Sequence, residues 1–164
     1  MILNRQRRVR VSVKSLKNFL ARASRALRLR AGSLTVCLVT DAAIARWNRA
    51  YRGKRGPTDV LSFPAERTQR RQRKHRTQRN SRPSRTADAF SFASSGSSSS
   101  YLGDIAIAPA VARRNARKFQ RAFDDEMRIL IVHGMLHLMG YDHETDAGQM
   151  DRRERRVRRQ LGLA

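Results

Sequence analysis

Hydrophobic residues recur along the first half of the chain at spacings that predict alternating strands and helices. Alternating valines in residues 9–13 predict a first strand, and an apolar stripe then predicts an amphipathic helix over residues 15–29. Alternation over residues 34–38 predicts a second strand, after which Asp41 is a good N-cap for the next helix. The chain is therefore expected to begin with two strand-helix units.

Two further strands are predicted on either side of a long polar segment. The apolar residues in 59–63 and 102–107 predict short strands, and Pro109 is placed to open a helix that runs to about Phe119. Residues 66–100 between the strands are rich in arginine, glutamine and serine and contain few apolar residues. This composition is typical of disorder, so we expect a disordered insertion there.

The last third of the chain predicts two more helices. Residues 127–139 form an apolar run, and Asp124 or Asp125 is expected to cap this helix. Thr145 can start a final helix that turns its apolar residues inward and its arginines outward. The order of elements predicts an α+β fold, with a small mixed four-stranded sheet covered by about five helices. We expect residues 1–164 to form a single domain.

Three histidines in and just after the apolar helix predict a metal site. His133 and His137 are four residues apart, so a helix places both imidazoles on one face, and Gly140 lets the chain turn and aim His143 at the same point. Structural zinc takes four protein ligands that usually include cysteine, whereas Cys37, the only cysteine, lies in a predicted strand. We therefore expect an open catalytic site for zinc, although nickel, cobalt or copper also accept three imidazoles.

The charge of the chain indicates a polyanionic partner. Its 36 Lys and Arg against 13 Asp and Glu give a net charge of +23, so nucleic acid is the first expectation. The basic residues of the 66–100 segment either contact RNA or only aid solubility. A single cysteine fits a reducing compartment, and the sequence shows neither a membrane span nor a secretory signal. We expect a cytoplasmic protein that begins its domain at Met1, with an organelle interior as the alternative.

The histidine motif bears on whether the site cleaves peptide bonds or phosphodiester bonds. His-x-x-x-His-x-x-Gly-x-x-His matches the zinc-protease pattern, but Gly134 stands where those proteases carry the glutamate that acts as general base. The absence of this base disfavours cleavage of peptide bonds. Zinc with a nearby guanidinium suits phosphodiester hydrolysis better, and a basic protein attracts that substrate.

Four segments of the chain form a recognisable set. They are Tyr51-Arg52-Gly53-Lys54, Thr58-Asp-Val-Leu-Ser-Phe-Pro64, Leu102-Gly103-Asp104-Ile105, and the histidine motif of residues 133–143. In this order they resemble the YbeY endoribonucleases, a family of ribosomal RNA maturation factors. The resemblance covers nearly the whole chain outside residues 66–100, where relatives generally have a short connection.

This resemblance implies a zinc-dependent, single-strand-specific endoribonuclease in 16S ribosomal RNA 3′-end maturation and small-subunit quality control. His133, His137 and His143 would be the metal ligands, and Arg52 the catalytic arginine that binds or polarises phosphate. Asp104 lies in a family motif, and we assign it to shaping the sheet edge or to a partner contact. The implied partners are single-stranded ribosomal RNA, the small ribosomal subunit, a small-subunit ribosomal protein and an assembly GTPase.

Two alternatives to the nuclease stay open. The first is a non-catalytic RNA-binding factor for ribosome assembly, with a structural zinc. The second is a metallopeptidase like the metzincins. A fourth protein ligand would favour the structural zinc, whereas a three-ligand site would favour an enzyme.

Overall fold

Four strands and five helices are formed by residues 1–65 and 100–163, the part of the chain that the computed structural model describes. The strands are β1 (Ile2–Asn4), β2 (Leu34–Leu38), β3 (Val60–Pro64) and β4 (Gly103–Ile107). The helices are α1 (Val13–Ala26), α2 (Asp41–Arg52), α3 (Pro109–Lys118), α4 (Phe123–Leu138) and α5 (Gln149–Leu161). The predicted α+β class, with four strands and about five helices, is confirmed. Most of the predicted insertion, from residue 66 to 99, lies outside the described residues.

The sheet is mixed, with the spatial order β1-β2-β4-β3. β1, β2 and β4 are parallel, and β3 runs antiparallel to β4 at one edge, with Ser62 opposite Ile105. Pro64 ends β3, in a position that an edge strand tolerates because proline has no N–H to donate. β3 brings the loop after α2 to the edge of the sheet that α4 covers.

Two apolar clusters lie on opposite faces of this sheet. In β2 and β4, Val36 and Ile105 face the larger cluster, while Cys37 and Ala106 face the smaller one, as the two-residue period of a strand requires. Helices α1, α4 and α5 build the larger cluster, and α2 contributes Ile44 to the smaller. α4 is the central helix, with Met127, Ile131, Met135, Leu136 and Leu138 fully buried. None of the described helices is long and apolar enough to cross a membrane.

The first strand predicted from the valines is wrong in position. β1 lies at Ile2–Asn4, and Val9 is in a loop that the buried side chain of Gln6 organises. The Gln6 amide donates to Val9 O at 2.9 Å and accepts from Val9 N at 2.8 Å, so it replaces a strand partner. Ser12 then caps α1 by accepting from Ser15 N at 3.3 Å, which is why the helix begins at Val13 rather than near residue 15.

Three predicted helix starts also shift. Thr40 rather than Asp41 caps α2, with its hydroxyl accepting from Ala43 N at 3.2 Å. α4 begins at Phe123 without a side-chain cap. The acidic residues that follow lie in its first turn, where their negative charge interacts favourably with the helix dipole. α5 begins at Gln149 rather than Thr145, because Asp146 accepts from the first two backbone N–H groups of that helix at 2.9 and 2.8 Å.

Candidate metal centre

The three histidines of the motif converge, as predicted, at the C-terminal end of α4. The ring centroids of His133 and His137 are 4.7 Å apart, and the ring of His143 lies 5.4 and 5.2 Å from them. One ligand nitrogen from each ring lies within 4.8 Å of the other two. Nitrogens about 2.1 Å from a tetrahedral zinc are about 3.4 Å apart, so a small side-chain movement closes the group around one ion.

A helix stop places the third histidine. Gly140 has a φ of 96°, and its N–H donates to His137 O at 3.0 Å while Tyr141 N donates to Leu136 O at 3.1 Å. This pair of hydrogen bonds is the Schellman motif, which reverses the chain at a helix end and favours glycine at this position. The predicted turn at Gly140 is confirmed. His143 is exposed, whereas the two helical histidines are partly buried.

The composition of the group fits an open metal site. Among the described residues, the group contains three imidazoles and neither a cysteine nor a carboxylate. Three neutral nitrogen ligands with a remaining coordination position are the arrangement of catalytic zinc. Burial lowers the pKa of His137, and the positive charges that His133 and His143 would carry lower it further. The neutral form that binds a metal is therefore favoured.

Glu154, which is not among the predicted site residues, fixes one of the imidazoles. Its Oε2 lies 3.0 Å from Nδ1 of His133, and its side chain is only 14% exposed. A carboxylate only accepts, so Nδ1 carries the proton and Nε2 of His133 is left to bind a metal. That Nε2 lies 3.1 Å from Nε2 of His137, at the centre of the group.

The sequence did contain a signal for Glu154. It is the only acidic residue between Arg152 and Arg159, and it lies four residues after Met150 and three before Val157. Both of those residues are buried, so Glu154 occupies the inward stripe of a helix whose other face is basic. A lone carboxylate on an apolar stripe indicates a buried partner.

Arg52 reaches the loop that carries the third histidine. It lies in the last turn of α2, and its guanidinium donates to Oε1 of Glu144 at 2.5 Å. Glu144 follows His143 directly in the sequence, so the ion pair joins α2 to the histidine group. The side chains are 39% and 55% exposed, which leaves the guanidinium accessible to an anion. The catalytic role predicted for Arg52 remains a prediction.

Gly134 has a structural explanation in the packing of α4 against the sheet. A Cβ at this position would lie 2.7 Å from Cγ2 of Ile105 in β4, so the glycine lets α4 approach the sheet closely. Any side chain at residue 134 would therefore collide with Ile105 of β4. Packing alone therefore accounts for the absence of a glutamate here, and Gly134 no longer distinguishes one kind of hydrolysis from another.

Asp104 does not lie at a sheet edge, so that part of its assignment is wrong. β4 lies between β2 and β3, and the Asp104 carboxylate accepts a hydrogen bond of 2.7 Å from the Tyr101 hydroxyl. The same hydroxyl lies 3.0 Å from Oγ1 of Thr35. Burial raises the pKa of Tyr101 to about 12 and also raises that of Asp104. The partner contact suggested for Asp104 stays a prediction.

The fold and the site together define an α+β domain with an open three-histidine group at the end of its core helix. This chain belongs to the YbeY family, because the family profile described as Endoribonuclease YbeY matches residues 1–162. The membership that the four sequence segments implied is therefore confirmed.

Individual relatives support the same membership. Proteins named Endoribonuclease YbeY from Koribacter versatilis and Parvibaculum lavamentivorans are 34% and 37% identical to this chain, over 99% and 80% of its length. A relative of the same name from Rhodopseudomonas palustris is 40% identical over 79% of this chain. The matches span 86%, 63% and 58% of the Koribacter, Parvibaculum and Rhodopseudomonas proteins.

A solved structure supports the fold. The solution structure of a Thermotoga maritima protein matches with a TM-score of 0.56 and 24% identity, over 98% of this chain and 89% of that one.

Proposed function

We propose that this protein is a zinc-dependent endoribonuclease that cleaves single-stranded RNA. The observation that carries the proposal is the open group of His133, His137 and His143, with Arg52 paired to Glu144, the residue that follows His143. The relatives bear the name endoribonuclease, and a net charge of +23 suits a polyanionic substrate. As the natural substrate we propose the 3′ end of 16S ribosomal RNA, in maturation and quality control of the small subunit.

The residues of the site have separate roles in this proposal. The three imidazoles would hold the ion. When bound, it would act as a Lewis acid that polarises a phosphate oxygen and lowers the pKa of water towards neutral pH. Glu154 holds the proton of His133 at Nδ1 and so keeps Nε2 directed to the centre of the group. Arg52 would release the Glu144 carboxylate and bind a phosphate in its place, because the paired N–H donors of a guanidinium fit either anion.

Cleavage of a single-stranded ribosomal RNA precursor tests the proposal. We expect the wild-type protein to cut it, a chelator to abolish cutting, and added zinc to restore it. His137→Ala should be inactive because it removes a partly buried ligand, whereas His75→Ala changes the one histidine outside the motif and should retain activity. Equal cleavage by His137→Ala and wild type, purified in the same way, would contradict the metal mechanism. Binding of the RNA without cleavage would instead support the assembly factor.

A further inference from the structure

Tyr51 is an exposed aromatic side chain that precedes Arg52, the residue that pairs with Glu144 in the loop of the third histidine. Among the described residues, three large hydrophobic side chains are exposed, and Tyr51 is the most exposed of them at 60%. The other two are Met1 and Phe119, which are 56% and 51% exposed. A single exposed aromatic is common on protein surfaces, so exposure alone assigns no role. The support beneath Tyr51 and its neighbours are what distinguish it.

The ring of Tyr51 is held in place from below. It meets the ring of Phe63 edge to face, with centroids 5.2 Å apart and planes at 74°. Phe63 in turn meets Trp47 at 6.1 Å and 83°, and both of these rings are partly buried against the smaller apolar cluster. Phe63 of β3 therefore lies between two rings of α2, of which Tyr51 is the exposed one. Such support restricts the ring, so that it presents a fixed apolar surface to the solvent.

The residues that follow Tyr51 in the chain include three basic side chains. Arg52 follows it directly and reaches Glu144, the residue after His143. Lys54 and Arg55 lie in the exposed loop that follows α2. The position of this loop is fixed, because the buried side chain of Asn48 donates to Gly56 O at 3.0 Å. Tyr51 thus shares a short segment with three cations, one of which pairs with Glu144, the residue after His143.

We propose that Tyr51 is a stacking platform for an unpaired base of the RNA that occupies the metal centre. This inference rests on the proposed nuclease function. Proteins that hold single strands combine cations that follow the backbone with aromatic rings on which bases stack. Here Arg52 and the basic loop supply the first component and Tyr51 the second. Bases inside a duplex are already stacked and do not present their faces, so the platform selects single-stranded RNA.

Binding of labelled RNA by fluorescence anisotropy tests the platform. The full-length protein is titrated into a ten-nucleotide oligoadenylate and into an abasic oligomer of the same length and charge, at one salt concentration. Tyr51→Leu keeps an apolar side chain but removes the ring, and we expect it to weaken oligoadenylate binding by about 5- to 150-fold. Its affinity for the abasic oligomer should stay unchanged. Tyr51→Trp and Tyr51→Phe should retain the preference for the oligomer with bases.

Phe119→Leu is the matched control, since Phe119 is also exposed and lies among cations of its own, with Lys118 Nζ 5.7 Å from its ring. We expect this variant to bind as wild type does. Tyr51→Leu binding within twofold of wild type would overturn the platform, as would an equal loss in Phe119→Leu. So would an equal loss on both oligomers, because that would show a general effect on charge or folding.

Cleavage measured in parallel separates this inference from the function on which it rests. Metal-dependent cleavage with unchanged binding by Tyr51→Leu would overturn the platform and leave the nuclease standing. Loss of base-dependent binding in Tyr51→Leu, with no cleavage by any protein, would support the platform and contradict the nuclease. A polypeptide partner at this surface would show itself as binding that Tyr51→Leu weakens for protein but not for RNA, which also overturns the proposal.

Discussion

Removal of the Glu154 carboxylate should weaken metal binding without unfolding the protein. The Oε2 of Glu154 lies 3.0 Å from Nδ1 of His133, and the two side chains are 14% and 27% exposed. Without this acceptor the imidazole can protonate at Nε2 or rotate, and both changes remove a ligand nitrogen from the group. The carboxylate also lies 3.7 Å from the guanidinium of Arg158, so its loss removes one negative charge beside that cation.

The expected loss follows from these contacts. Partners that orient metal-bound histidines typically account for 10- to 100-fold in affinity, or about 1.4 to 2.8 kcal/mol. Because the Glu154 contact is partly buried and charge-assisted, we expect Glu154→Ala to fall within that range. Glu154→Gln should lose less, since an amide oxygen still accepts from Nδ1.

Competition against a chromogenic chelator for zinc measures the affinity, and circular dichroism of the metal-free protein measures its stability. Asp151→Ala is the matched control, because Asp151 lies on the same helix and pairs with Arg155 at 2.5 Å where both side chains are more than 60% exposed. We expect its zinc affinity to change by less than twofold, as for other exposed pairs. Zinc affinity of Glu154→Ala equal to that of Asp151→Ala would refute the positioning role.

Three further predictions concern other parts of the molecule. Gly134→Ala should destabilise the fold by about 1 to 3 kcal/mol in urea unfolding, because its Cβ would lie 2.7 Å from Ile105 Cγ2; a neutral result would show that α4 does not need this close approach. Thr40→Ala should cost about 1 kcal/mol in the same assay by removing the cap of α2, and Thr40→Ser should restore most of it. Glu144→Gln should tighten RNA binding by weakening the competitor for Arg52, while Arg52→Ala should weaken it; opposite changes in anisotropy titrations would contradict the anion exchange.

The sequence predicted the order of the elements and the convergence of the histidines because both depend on local periodicity. Residues four apart on a helix share a face whatever surrounds them, and Gly140 ends α4 through its own backbone conformation. Helix starts were less predictable. They depend on which hydroxyl or carboxylate reaches the free N–H groups, as Thr40 and Asp146 do here.

The features that the sequence did not predict depend on specific side-chain contacts, which a periodic pattern does not show. The Gln6 amide turns an alternating stretch into a loop by satisfying the backbone of Val9, and no period-two pattern reports that. Glu154 lies 21 residues after His133, and Glu144 lies 92 residues after Arg52, so these pairs depend on how helices pack. Gly134 was interpreted through catalysis, whereas its closest constraint is the side chain of Ile105 in the sheet.

Because His143 and Glu144 are adjacent in the chain, binding of a metal to the histidine group is linked to binding of an anion to Arg52. One residue belongs to the histidine group and the next holds Arg52, so an anion that displaces Glu144 also releases a restraint on the loop carrying a ligand. A metal that fixes His143 likewise restrains Glu144. Thermodynamic reciprocity then requires that metal and phosphate change each other's affinity by the same factor. If this coupling is present, a metal affinity measured without a bound phosphate would differ from the affinity that holds when phosphate is bound.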